Sequence, residues 1–162
     1  MTQRESYRSL VAKLAPRVEE VFPWDLRDEL DGGDDPLLLD IRCPDEFANV
    51  RIQGSINVPR GILEIAVDYG YEETVPELVE ARERRVVVIC RSGNRSVLAA
   101  HTLNTMGYAN VASLRTGLRG WNDDEQPLID ARGEALDFDD VDELFRPKLS
   151  PRQLGPAGRR AA

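Results

Sequence analysis

The chain has 162 residues, the length of one domain with some extra at its ends, and is 41% hydrophobic and 31% charged. Its formal charge of −8 argues against nonspecific binding to nucleic acid or to an anionic membrane surface. No apolar run approaches the ~20 residues of a membrane span. No apolar signal core follows the mixed-charge start Met1-Thr2-Gln3-Arg4-Glu5-Ser6. The chain is therefore read as cytoplasmic, where two cysteines remain thiols and build no disulfide framework.

Tyr7, Leu10, Val11 and Leu14 recur at helical spacing, and Pro16 ends that helix. Val18 to Phe22 reads as a short strand. Pro23 suits a first helical position, with Trp24 to Leu30 behind it. Asp31-Gly32-Gly33-Asp34-Asp35-Pro36 is a turn by composition. Leu37 to Ile41 is a continuous apolar strand, the pattern of a strand covered on both faces. Arg42 to Phe47 reads as a loop entering a short helix, and Gly54 to Pro59 as a short strand with turn punctuation. Helices are expected around Ile62 to Ala66 and over Pro76 to Arg82.

The apolar run Val86-Val87-Val88-Ile89 then ends at Cys90. A polar loop, Arg91-Ser92-Gly93-Asn94-Arg95-Ser96, leads into a helix through Val97, Leu98, Ala99, Ala100, Leu103 and Met106, stopped by Gly107. Val111 to Leu114 is a further strand. Gly117 and Gly120 are expected to flank a turn before Trp121. Beyond Pro127 the pattern weakens to one amphipathic turn around Val141, Leu144 and Phe145. The charge there is lopsided: an acidic run from Asp123 to Glu143 precedes a basic stretch from Leu144 to Ala162. The last fifteen residues read as a tail. The organisation expected is an N-terminal helical extension at 1–17, one domain at 18–128, and an acidic-then-basic extension at 129–162.

Strands alternating with helices imply a parallel sheet covered on both faces, with its site at the carboxyl ends of the strands. Cys90 ends one strand and Cys43 lies just past another, so both belong at one sheet edge. A thiol reacts as its thiolate. Three features favour the charged form at Cys90: the positive end of the following helix, backbone N–H groups freed by Gly93 and the small Ser92, and the cations Arg91 and Arg95. Taken alone, a cysteine here reads rather as a buried structural residue followed by a capping serine. The glycine, both arginines and the second serine at this spacing favour a nucleophile.

Cys90-x-x-Gly93-x-Arg95-Ser96 resembles the active-site loop of the rhodanese-type, single-domain sulfurtransferase family. Asp40-Ile41-Arg42 with Glu46-Phe47, Gly54-Ser55-Ile56-Asn57-Val58-Pro59, and Gly107-Tyr108 through Gly117 to Trp121 are similar to that family's other segments, in the same order. The resemblance implies a three-layer α/β sandwich with a central, mainly parallel sheet and helices on both faces. It also implies ping-pong transfer of a sulfane sulfur through a Cys90 persulfide, from a thiosulfate-like anion to cyanide or a thiol, with no metal or organic cofactor. Arg91, Ser92, Gly93, Asn94, Arg95 and Ser96 form the expected substrate-binding loop, supported by Asp40, Arg42 and Glu46. A sulfur-relay or redox-sensing module, taking sulfur from or passing it to a protein partner, is the competing reading. A phosphatase or arsenate reductase of the same fold is a weaker one, because those loops carry one residue more, with arginine where Ser96 stands.

Some positions depart from the family pattern. Arg51 stands where histidine is usual, Gln53 where proline is, and Thr116 where the first of two glycines is. Arg42, Arg51, Arg60, Arg91, Arg95 and Arg119 either form an anion-attracting mouth, or Arg42 and Arg95 pair with Asp40 and Glu46 and the rest are solvated. Cys43 is either a thiol that resolves an oxidised Cys90 or an incidental buried one. His101 lies too far along its helix to serve Cys90 and is read as surface.

Overall fold

A computed structural model describes residues 3–156 of the chain. Helix α1 (Tyr7–Leu14) and a 3-10 turn (Ala15–Arg17) lead to strand β1 (Glu19–Val21) and helix α2 (Pro23–Asp31). Strand β2 (Leu37–Asp40), helix α3 (Pro44–Asn49) and strand β3 (Ile56–Asn57) follow. A second 3-10 turn (Arg60–Ile62) precedes short helices α4 (Leu63–Ala66) and α5 (Pro76–Val79). Strand β4 (Arg85–Ile89), helix α6 (Arg95–Thr105), strand β5 (Asn110–Leu114), and helices α7 (Gly117–Asp123), α8 (Phe138–Phe145) and α9 (Pro151–Leu154) complete the order.

The five strands form one parallel sheet in the order β1-β5-β4-β2-β3. Alternation along the central strands sorts side chains into two cores. Leu37, Leu39, Val86, Val88 and Val111 face helices α4, α5 and α6. Leu38, Val87, Ile89, Ala112 and Leu114 face α2, α7 and α8. The result is the expected three-layer sandwich. Fully burying each such aliphatic side chain contributes about 1.5–3 kcal/mol, well above the ~0.2–1 kcal/mol of an exposed ion pair. The two cores therefore set the fold. One ion-pair cluster ties the amino-terminal ends of the strands: Arg85 on β4 reaches Glu29 at 2.8 Å, Glu19 at 2.9 Å and Asn110 at 2.9 Å.

The flanking segments pack on this body. Val11 and Leu14 of α1 lie against the α6-side core. Ile129 bridges to Arg51 and to Ala135, and Val141 and Phe145 of α8 are buried in the other core.

The structure corrects three expectations. Gly117 to Trp121 is the helix α7, not a turn. Gly117 and Gly120 are small because backbone and side chain crowd them: a Cβ at Gly117 would lie 2.5 Å from the Cys90 carbonyl oxygen, and one at Gly120 1.7 Å from Thr116 Oγ1. The single turn expected around residues 141–145 is a two-turn helix. Asp137 starts it by accepting from the Asp139 and Asp140 amides, and acidic residues in the first turn complement the helix dipole. Leu144, expected on its apolar face, is exposed. The expected tail holds one helical turn, α9, capped by Ser150; residues 157–162 lie outside the described residues.

Thr116 takes a left-handed conformation, φ 67° and ψ −8°, at the entry to α7. That conformation costs a non-glycine residue about 1–2 kcal/mol, against about 0.5–1 kcal/mol for the extra freedom a glycine loses on folding. Thr116→Gly is expected to raise the melting temperature by about 2–4 °C, the shift for roughly 1 kcal/mol in a chain this size. A thermal melt checks this, and a lowered midpoint would contradict it.

Candidate active site

Cys90 sits just past the carboxyl end of β4, with 1% of its surface exposed. Its sulfur receives the Gly93 N–H at 3.1 Å and the Ser96 N–H at 3.3 Å, and lies 3.3 Å from the Ser96 hydroxyl. That hydroxyl is in turn 2.7 Å from the hydroxyl of Ser113, buried on β5. Gly93 can aim its N–H inward because φ is +85°, and a Cβ there would lie 2.7 Å from the Thr116 nitrogen. The opposite polarity is handled by α7. The Leu118 and Arg119 amides donate to the carbonyls of Cys90 and Arg91, both at 3.0 Å. The carbonyls of Cys90 and Arg91 are thus held by α7 while the Gly93 and Ser96 N–H groups meet the sulfur, an arrangement suited to negative charge.

The supporting residues form a chain of contacts. Arg42 is 1% exposed and Asp40 fully buried. The Arg42 amide and Nε donate to Asp40 Oδ1 at 3.0 Å, and Nη2 donates to Oδ2 at 2.8 Å and to the Val50 carbonyl. Asn57 Nδ2 donates to the carbonyls of Asp40 and Arg42 at 3.0 and 2.9 Å. This fixes the segment that carries Glu46. Glu46 then holds Arg95 in a two-point pair at 3.0 and 3.1 Å and accepts from the Cys43 amide at 3.3 Å. Burial alone would raise the Glu46 carboxyl, but its bonds to Arg95 outweigh that and hold it below the usual carboxylate range.

The six arginines do not converge on one mouth. Arg42 and Arg95 are paired as described, Arg60 pairs with Glu64 at 2.6 Å, and the Arg51 guanidinium lies 4.9 Å over the Phe47 ring. Arg91 and Arg95 line the Cys90 pocket, with Ser92, Asn94 and Tyr7, around a volume of about 100 Å³. Arg91 also borders a second groove beside Asp45, Asn49, Leu144 and Phe145. Cys43 is an exposed free thiol before α3, not the buried one expected, whereas Cys90 is buried. His101 is half-buried on α6.

Two residues of this neighbourhood escape the sequence reading. Ser113 left a signal: a serine in the apolar strand Val111-Ala112-Ser113-Leu114 needs a buried partner. Tyr7 left none, since only the packing of α1 brings it to the pocket.

The fold and the loop define an α/β domain with a thiol held in an anion-favouring cradle at its strand ends. Residues 23–124 match the Rhodanese-like domain family, and the chain belongs to that family. It is 32% identical over 123 residues to the "Putative thiosulfate sulfurtransferase, mitochondrial" of Schizosaccharomyces pombe, covering 74% of this chain and 87% of that one. It is 32% identical over 116 residues to a "Sulfurtransferase" of Allochromatium vinosum, covering 72% and 99%. Among solved structures, a Rhodopseudomonas palustris protein of unknown function described as "Possible Tyrosine Phosphatase" superposes with a TM-score of 0.70 at 28% identity, covering 80% of this chain and 98% of that one. The relatives support sulfur transfer at the level of the family and a rhodanese-type transferase. No described helix is long and apolar enough to cross a membrane.

Removing the Arg42 side chain leaves Asp40 charged, buried and unpaired. Arg42→Ala is expected to cost about 3–5 kcal/mol of folding stability, the usual loss when one partner of a buried pair is deleted. Urea unfolding measures it, and a loss within 1 kcal/mol would show that water replaces the guanidinium.

Proposed function

We propose that the chain transfers a sulfane sulfur through a Cys90 persulfide, with thiosulfate as donor and cyanide or a thiol as acceptor. The observation that carries this reading is the convergence of the Gly93 amide, the Ser96 amide and the Ser96 hydroxyl on one sulfur, at 3.1 to 3.3 Å. The Cys90 thiolate attacks the outer sulfur of thiosulfate. A new S–S bond forms, the donor's S–S bond breaks, and its electron pair leaves on sulfite. The persulfide's terminal sulfur carries the charge, which the loop amides stabilise. Cyanide carbon then attacks that sulfur, the Cys90–sulfur bond breaks, and thiocyanate leaves with the thiolate restored. Removing one donor aimed at developing charge typically costs 10²–10³ in turnover.

Phosphoryl chemistry fits less well. A phosphate group needs several donors around three charged oxygens. The loop has six residues from Cys90 to Arg95, and both terminal nitrogens of Arg95 are engaged by Glu46. Hydrolysis of an aryl phosphate is expected to be negligible.

Incubation with thiosulfate should add one sulfur atom to the intact mass, removable by cyanide with release of thiocyanate. Cys90→Ser should abolish both, and Cys43→Ser should leave turnover unchanged. Full activity in Cys90→Ser would overturn the reading. A persulfide that forms but scarcely reacts with cyanide would point instead to a relay that hands sulfur to a protein partner.

A further inference from the structure

Helix α1 precedes the residues that match the family, 23–124, yet it contributes a wall of the Cys90 pocket. Its start is set locally. Ser6 and Ser9 exchange side-chain bonds with each other's amides at 2.9 and 3.0 Å, and the Ser9 hydroxyl donates to Glu5 at 2.6 Å. Its position is set by Val11 and Leu14 against the α6-side core. Tyr7, the first residue of α1, is thereby held beside Cys90, Arg91, Ser92, Asn94 and Arg95.

The pocket brings together two kinds of group. One is the Cys90 sulfur, which the Gly93 and Ser96 amides meet from behind the pocket wall. The other is the pair of side chains Tyr7, 54% exposed, and Arg91, while Arg95 is engaged by Glu46. Its volume of about 100 Å³ is well under the ~300 Å³ at which drug-sized pockets begin. A compact donor with sulfur at one end and charged oxygens at the other matches both kinds of group at once. We propose that Tyr7 is a specificity-determining residue of the donor step, its O–H donating to the oxyanion head of the sulfur donor and of the departing sulfite. This rests on the persulfide reading above. The phenol keeps its proton throughout; the S–S bond that breaks and the pair that leaves are those already described.

The ionic surroundings agree. Burial, and then the charge at Cys90, raise the Tyr7 phenol above its ordinary value, against the opposing pull of Arg95 and Arg91. The phenol thus stays a donor at neutral pH.

The test is Tyr7→Phe, which keeps the ring and removes only the hydroxyl. Ping-pong kinetics separate the two half-reactions. The kcat/KM for thiosulfate should fall about tenfold, in line with the loss of a hydrogen bond to a charged group, while kcat/KM for cyanide should not change. Alkylation of Cys90 by iodoacetamide should proceed at the wild-type rate, showing an intact cradle. Sulfate should protect Cys90 from that alkylation in the wild-type protein, and about tenfold more sulfate should be needed in Tyr7→Phe. Unchanged kcat/KM for thiosulfate with unchanged sulfate protection would overturn the assignment while leaving the persulfide reading intact. If the wild-type protein forms no persulfide, that reading fails, and sulfate protection still decides whether Tyr7 binds the anion.

Discussion

The structure turns on how two backbone segments fit into each other. The loop after β4 and the turn after β5 approach so closely that neither Gly93 nor Gly117 has room for a Cβ. Both adopt left-handed φ values, +85° and +62°. This fit lets the first amides of α7 take the carbonyls of Cys90 and Arg91. With those two carbonyls engaged by α7, the Gly93 and Ser96 amides meet the sulfur without competition from them. The polarity of the site is therefore a property of chain path and not of the loop's side chains alone. A side chain at either glycine would push the segments apart and release the carbonyls.

The same division of labour runs along the sheet. At the carboxyl ends, Asp40 and Arg42 immobilise the segment beyond β2, Glu46 carries that order to Arg95, and Arg95 closes the cradle. At the amino ends, Arg85 gathers Glu19, Glu29 and Asn110 far from the chemistry. The apolar faces between them connect the two. Burial of Asp40 and Arg42 is tolerable because both Asp40 oxygens and the Nε and Nη2 groups of Arg42 find partners. The price is that neither residue can change alone.

Much of this was legible in the sequence. Continuous apolar runs in β2 and β4 gave a doubly covered parallel sheet, and a cysteine ending one run before a Gly-containing loop gave the site. The pairing of Arg42 with Asp40 was also within reach, because they lie two positions apart at one strand end; that of Arg95 with Glu46 joins positions 49 apart and follows from both lying at the same sheet edge. The misreadings have separate physical causes. Gly117 and Gly120 look like turn punctuation, yet their smallness answers crowding that only the folded chain creates. Asp137 is indistinguishable from its acidic neighbours until the helix behind it exists. Leu144 matches an apolar helical spacing, but the second core ends at Val141 and Phe145. Tyr7 depends on how a helix 83 positions upstream of Cys90 docks on α6, which no local pattern encodes.

The paired hydroxyls behind the sulfur carry one more consequence. Ser96 and Ser113 stand 2.7 Å apart, and either can donate to the other. With a neutral thiol, Cys90 can donate to Ser96, which passes its own hydrogen to Ser113. With a thiolate, both O–H bonds can swing the other way, so that Ser113 donates to Ser96 and Ser96 to sulfur. The pair thus admits two donor directions on one set of heavy-atom positions, so the polarity facing the sulfur can reverse by the rotation of two hydrogens.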